Sequence, residues 1–440
     1  MNSLNITELN NTPLIIQNLE ETIKHISTFG YDHNINKDKF IDFCKSIRNA
    51  GGRDLWTKEC AKNLGQIIKL INKFNKLKKL VSENLEPELY GKLMTCGEET
   101  KINFNSLDIK VKKIQIGGHH CAFLTDDNKF FTMGSNSFGQ IGNNSEESSY
   151  QNPFLHHQFE KVIDFCCGYS FTAVINNDDL YSWGSGDNGR LGNGSNESCK
   201  KPEKINIEFI PKSVKGGSTF MIILAKDGKL YSCGQKKYSG HPNAEEDILV
   251  PKLIRFSENN RVSKIQLGHG GYHALALTKS NKLYTWGHNR VGQLGLGFLG
   301  NPSDNGADSD DESSDDNVIR KPTLVKSVEN LLIKDIIAGW GHSMLLTFNN
   351  QVYVCGRNNE NQLGLNKNRC KINMKDMHCI DKFTLINYLN IKSINAGGTA
   401  SFLTDFDNNL TVFGMEDVSY QKPENFTKLM GCGAEVFYYI

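Results

Sequence analysis

Twelve histidines and twelve cysteines are the side chains in this 440-residue sequence best suited to proton transfer, nucleophilic attack or metal binding. Zinc would ask for thiolates and imidazoles at short, fixed spacings. No Cys-X-X-Cys pair occurs, and the only close pair is Cys166-Cys167. His120, His273 and His342 occupy the same place in three segments that resemble one another. One imidazole per repeat unit diverges from its sisters around a ring, so these side chains read as hydrogen-bonding struts of the repeat rather than a joint metal or proton-transfer site. Walker-type loops, His-Glu-X-X-His and Gly-X-Ser-X-Gly are also absent. The expectation is a chain with no catalytic residues, no metal and no cofactor.

The elements that position these residues follow from self-comparison. Six segments align, ending at Gly134, Gly184, Gly234, Gly287, Gly356 and Gly414, among them GGSTFMIILAKDGKLYSCG and GHGGYHALALTKSNKLYTWG. Each has glycine at the front, two runs of alternating residues, a polar turn, and an aromatic residue or Cys before the last glycine. Period-two alternation is the pattern of strands. Turns such as Lys226-Asp227-Gly228-Lys229 and Phe348-Asn349-Asn350-Gln351 carry the Asp-Gly and Asn-rich pairs of hairpins. The terminal glycines are 50, 50, 53, 69 and 58 residues apart, room for about four short strands per unit, which is one propeller blade. Cys96, Cys233 and Cys355 fall where Trp183 and Trp286 stand in sister repeats, so they read as small buried hydrophobes in a reducing compartment.

The two ends of the chain complete the pattern. The C-terminal LMGCGAEVFYYI matches the front of a repeat and Leu89 to Gly97 matches the back, so Ile440 runs into Leu89 in the repeat register. Pairing them in one split blade would remove the loose sheet edges of an open ring. The expected fold is all-β: a seven-bladed β-propeller closed by N- and C-terminal strands, preceded by an α-helical segment.

A second signature follows four of the terminal glycines: Phe138-Gly139-Gln140-Ile141-Gly142, Gly189-Arg190-Leu191-Gly192, Gly292-Gln293-Leu294-Gly295 and Asn361-Gln362-Leu363-Gly364. Glycine in the first place suggests positive φ, and asparagine is the residue best able to replace it. With Tyr-X-Trp-Gly before it, this sequence closely resembles the regulator of chromosome condensation repeat family from about Leu89 to Ile440. The resemblance implies a propeller that works by binding proteins. In the founding branch the partner is the small GTPase Ran, whose nucleotide release is accelerated. That branch carries an Asp before the motif His of one blade and a wedge insertion after one Trp-Gly. Here the residues read at that place are His119, Tyr169, Thr219, Tyr272, Gly341, Thr399 and Ala434, and no such insertion follows Gly134, Gly184 or Gly287.

Two stretches depart from the repeat. Residues 1–88 show helical patterns, clearest where Leu64, Ile67, Ile68, Ile71, Phe74 and Leu77 share one face. Between Thr57 and Val81 stand seven Lys and one Glu, read as the solvated face of an amphipathic helix. The second departure is an acidic insertion at about 298–319, with seven acidic residues from Asp304 to Asp316, read as a disordered loop. Ser309 and Ser313 each precede an acid by three residues, a spacing suited to acidophilic phosphorylation. Fifty basic against 49 acidic side chains leave a net charge of +1, which gives no field favouring nucleic acid. No stretch approaches the apolar length of a bilayer span, and no signal peptide pattern opens the sequence.

The resulting functional reading is a monomeric, non-catalytic regulatory or adaptor propeller of the cytoplasm, or else the nucleus, that binds a protein partner through loops on one face. The alternative is a guanine nucleotide exchange factor for a Ran-like or related small GTPase. Phe138, Arg190, Arg290, Trp340 and Arg357 are the expected anchors, since aromatic and Arg side chains dominate protein interfaces.

Overall fold

The computed structural model describes residues 92–95, 111–256, 261–268, 271–300, 317–366, 368, 370–372, 377–414, 429–432 and 436–439. The chain divides into two units, 1–88 and 89–440, and every strand described belongs to the second. The helical segment and the lysine face expected in 1–88, Cys96, and the acidic run with Ser309 and Ser313 lie outside the described residues.

The alternating segments are antiparallel hairpins in one common register. His120 pairs with Gly134, Phe171 with Gly184, Phe220 with Gly234, His273 with Gly287 and His342 with Gly356. At each hairpin tip one residue turns the chain with positive φ: Asn128, Asn177, Gly228, Asn281, Asn350 and Asn408. Asparagine and glycine tolerate that region, so the tip of every blade is written in the sequence.

Each hairpin lies within a larger sheet of consecutive strands, and the six sheets span 111–155, 162–205, 211–253, 262–324, 333–385 and 391–413. The chain is therefore an all-β propeller. Six blades are built of consecutive strands, one fewer than the seven the repeat predicts. A further sheet has three strands and joins Lys92–Thr95 to Val436–Tyr439 and Leu429–Cys432.

The core lies between blades. On the second strand of the third blade Phe220, Ile222 and Leu224 pack against Ile265, Leu267 and Trp286 of the fourth. Met221 and Ile223, one residue out of phase, pack against Phe171, Ala173 and Ile175 of the second blade. Both faces of the strand are apolar because both meet a neighbour. Each such large side chain contributes about 1.5–3 kcal/mol of burial.

Cys233 and Cys355 are fully buried at the positions that Trp183 and Trp286 take in sister blades. Burial pushes the Cys121 and Cys166 thiols up to about 12 and raises those of Cys167, Cys233 and Cys355 as well. These thiols stay protonated and unreactive at neutral pH.

Candidate functional site: the signature end of the propeller

The two ends of the propeller differ in kind. At one end lie the hairpin tips and the links between blades. At the other, called the signature end below, the turn after each innermost strand meets the loop that carries the second signature. Ser135 N donates to His119 O at 2.7 Å, Ser185 N to Ser170 O at 2.9 Å, Gln235 N to Thr219 O at 3.0 Å, His288 N to Tyr272 O at 2.9 Å and Arg357 N to Gly341 O at 2.9 Å. The last glycine of each hairpin makes this contact geometrically possible. At Gly287, with φ of +99°, a Cβ would sit 2.2 Å from Tyr272 O. In the second signature Gly139, Gly189 and Gly292 take φ of +81°, +71° and +77°, and Asn361 takes +60° in the fourth.

A buried polar framework holds these loops to the next blade. His120 Nε2 lies 3.0 Å from Thr172 Oγ1, His273 Nε2 2.9 Å from Ser343 Oγ, and His342 Nε2 2.8 Å from Ser401 Oγ. Thr172 and Ser343 donate in turn to the carbonyls of Gln140 and Gln293. The same carbonyls accept Trp183 Nε1 at 2.9 Å and the Cys355 thiol at 3.5 Å. The third blade lacks the Gln-Leu-Gly signature, yet Tyr238-Ser239-Gly240 reproduces it: Tyr238 O accepts Trp286 Nε1 at 3.0 Å. The indole and thiol positions are thus donors to the preceding blade as well as core, which hydrophobic pattern alone does not reveal.

Five of the imidazoles are held neutral by their surroundings. Burial pushes His273 down to about 3 and His342 down to about 4. His156, His241 and His288 are also pushed to about 4, again mainly by burial. A group whose folded pKa lies below its unfolded value of about 6.5 is neutral in both states above that pH. As pH falls below it, the unfolded chain binds a proton that the folded chain refuses. Stability is therefore complete above about pH 6.5 and is lost towards about pH 4, at about 2 kcal/mol per wholly buried imidazole over the first 1.5 units or so. Urea unfolding at about pH 7 and about pH 5 checks this. The midpoint is expected to fall sharply at the lower pH, and His342→Gln should shrink the drop. An equal midpoint at both values would contradict neutral burial.

All five anchors expected from sequence stand at the signature end, but they differ in exposure. Phe138 and Trp340 are exposed, at 47% and 52%. Arg190 is the correction: it is buried at 7%, donating to Asp187 O at 2.8 Å and to Ser218 O of the next blade at 3.1 Å. Burial lowers its pKa, with Asp187 opposing. Arg357 is half-buried and ion-paired with Glu360, and Arg290 is partly exposed. One of Arg190's partners, Ser218 O, comes from the next blade, a contact that its own loop does not announce.

Sequence reasoning missed Tyr169. It is 43% exposed and meets exposed His119 edge to face at 5.9 Å. The strand register also corrects one alignment: Phe171 stands opposite Gly184 as His120 does opposite Gly134, so the preceding residue in the second blade is Ser170 rather than Tyr169. At the hairpin end a separate apolar group, Leu332, Phe348, Leu389 and Phe406, is 55–80% exposed on the fifth and sixth blades.

Residues 87–421 match the family model of the RCC1-like domain. The ultraviolet-B receptor UVR8 of Arabidopsis thaliana is 31% identical over 264 residues, covering 58% of this chain and 55% of UVR8. The E3 ubiquitin-protein ligase HERC2 of Mus musculus is 29% identical over 244 residues, covering 54% of this chain and 5% of HERC2. The match thus spans about half of one relative and a small part of the other. Among solved structures, yeast RCC1 (Prp20) bound to Kap60 superposes with a TM-score of 0.61 at 20% identity, covering 74% of this chain and 79% of that one.

Proposed function

This chain belongs to the RCC1-like domain family, and on that premise we propose that it is a non-catalytic regulatory adaptor that holds a protein partner at its signature end. The observation that carries the reading is the pairing of exposed aromatic side chains with a rigid base. Phe138, Tyr169 and Trp340 stand on loops whose backbones are tied from blade to blade: Tyr169 N donates to Gly217 O at 3.1 Å and Trp340 N to Gly398 O at 2.8 Å. Large aromatics fixed in place before binding lose little entropy in an interface and make strong anchors. The free buried cysteines support a reducing compartment, cytoplasm or nucleus.

The same reading takes the sheet shared by the two chain ends as a seventh blade. Its support is the antiparallel pairing of Lys92 with Tyr439 through Thr95 with Val436, and the contact of Leu429–Cys432 with the innermost strands of both the first and the sixth blade.

Nucleotide exchange on a small GTPase is the second reading. It is favoured by the structural likeness to Prp20p of Saccharomyces cerevisiae, which was studied for its binding to Gsp1p and histones. Such activity needs no covalent chemistry, since tighter binding to the nucleotide-free GTPase drives nucleotide out by reciprocity. Against it, the residues before the second strand in the six consecutive-strand blades are His119, Ser170, Thr219, Tyr272, Gly341 and Thr399, none of them acidic. Release of labelled GDP from Ran-, Rab- and Arf-like GTPases separates the two. An adaptor leaves every rate at its intrinsic value. Acceleration of one of them by catalytic amounts of this protein would establish exchange instead.

A further inference from the structure

At the signature end the residue before the second strand carries a side chain in five blades: His119, Ser170, Thr219, Tyr272 and Thr399. The fifth blade has Gly341 there. Glycine is required where φ is positive or where a Cβ would collide. Neither reason applies at Gly341. Its φ lies outside the positive region, and an added Cβ would meet nothing nearer than Arg357 Cβ at 3.6 Å, Val291 Cγ2 at 3.7 Å and Arg357 Cδ at 3.8 Å. By contrast, a Cβ at Gly339, two residues earlier, would stand 2.1 Å from His342 Cε1. The missing side chain therefore leaves a notch between the fourth and fifth blades. Val291 and the stem of Arg357 wall it, and exposed Trp340 is next to Gly341 in the chain.

The walls of the notch are fixed. Arg357 N donates to Gly341 O at 2.9 Å, Trp340 N to Gly398 O at 2.8 Å, and Val291 N to Gln293 Oε1 at 3.2 Å. The charges around it are not balanced. Glu360 pairs with Arg357 Nη2 through one oxygen and accepts Gln362 Nε2 at 2.9 Å on the other. Arg357 Nε, bonded to the Cδ that borders the notch, is buried and has no hydrogen-bond partner among the described residues. Arg290, which precedes Val291, is partly exposed and has no ion-pair partner among the described residues. Two guanidiniums thus stand in this part of the mouth against one carboxylate. A guanidinium that holds one carboxylate through a single nitrogen keeps donors for a second.

We propose that the Gly341 notch is a subsite for one acidic side chain of the protein partner, its carboxylate on the Arg357 guanidinium and its methylene stem against Val291 beside Trp340. Arg290 adds positive charge at the rim. The subsite rests on the reading that a protein binds at the signature end, and it specifies the chemistry that this protein presents. A free phosphate would need the charge but not the notch, so filling the notch separates the two sources of the anion.

Titration calorimetry of a capped peptide of consecutive glutamates into the full chain tests it, with inorganic phosphate as the comparison. Gly341→Thr fills the notch, and threonine already holds the same place in the third and sixth blades as Thr219 and Thr399, so the melting temperature should not change. Arg357→Gln removes the charge, and Lys326→Gln, an exposed lysine at the hairpin end, is the control. A measurement on the unaltered protein keeps the test independent of variant folding: protection of Arg357 from phenylglyoxal, read by peptide mass spectrometry. The peptide is expected to bind at one site, to protect Arg357, and to be weakened at least about tenfold by Gly341→Thr and by Arg357→Gln but not by Lys326→Gln. Peptide binding that Gly341→Thr leaves unchanged, protection by phosphate equal to that by the peptide, or no protection by either probe overturns the subsite. Recovery of the protein partner judges the signature-end reading separately. A partner lost from Phe138→Ala/Trp340→Ala but kept by Gly341→Thr leaves that reading standing and removes the subsite.

Discussion

Deletion of residues 428–440 is expected to abolish cooperative unfolding, the largest effect in this account. The deleted segment includes Leu429–Cys432 and Val436–Tyr439, two of the three strands of the sheet shared by the chain ends. Without them Lys92–Thr95 loses its partner, and the innermost strands of the first and sixth blades lose the strand that lies against both. Two strand edges and the apolar faces beside them would open to water, which invites association through the edges. Circular dichroism melting and size-exclusion chromatography check the outcome: aggregated or non-cooperative material is expected. A soluble monomer with a single sharp transition would show that the terminal sheet is an appendage and not the closure of the ring.

Trp183→Ala is expected to cost about 3–5 kcal/mol of unfolding free energy, since it deletes a large, fully buried aromatic. The indole stacks on Phe159 at 5.9 Å and lies edge to face with Phe130 at 6.5 Å, so both rings would border the cavity. Its Nε1 also donates to Gln140 O at 2.9 Å, and the loss leaves that carbonyl sharing only the Thr172 hydroxyl. Trp183→Phe keeps most of the packing and loses the donor, so it should fall in the range of one hydrogen bond, about 1–2 kcal/mol. Urea denaturation followed by far-ultraviolet circular dichroism measures both. A loss below about 1 kcal/mol for the alanine variant would contradict the burial described.

The parts of this molecule that were legible in the sequence are those written with local chemistry. Hairpins announce themselves through alternation and through Asn or Gly at each tip, and the positive φ of Asn361 follows from glycine at the same place in sister blades. Cys233 and Cys355 could be placed in the core because the register put them under Trp183 and Trp286. What escaped was set by contacts between blades. Arg190 looks like a free cation in its own loop, yet it is buried between Asp187 O and Ser170 Oγ of its own blade and Ser218 O of the next. The Lys113–Asp164 pair escaped for the same reason, since its two residues stand on the innermost strands of neighbouring blades. Tyr238-Ser239-Gly240 shows the converse: backbone carbonyl geometry was kept where the signature side chains were lost.

The central claim is that a protein partner is held at the signature end by exposed aromatics on a fixed frame. Quantitative affinity purification with chemical cross-linking tests it most directly, comparing the unaltered chain, the double variant Phe138→Ala/Trp340→Ala, and Phe348→Ala/Leu389→Ala at the hairpin end. All three should show the same melting temperature, because each altered side chain is largely exposed. The account predicts a partner whose cross-links map to the signature-end loops and whose recovery drops at least about tenfold in Phe138→Ala/Trp340→Ala while Phe348→Ala/Leu389→Ala retains it. Recovery unchanged in the first double variant and lost in the second would contradict the claim and move the binding surface to the hairpin end.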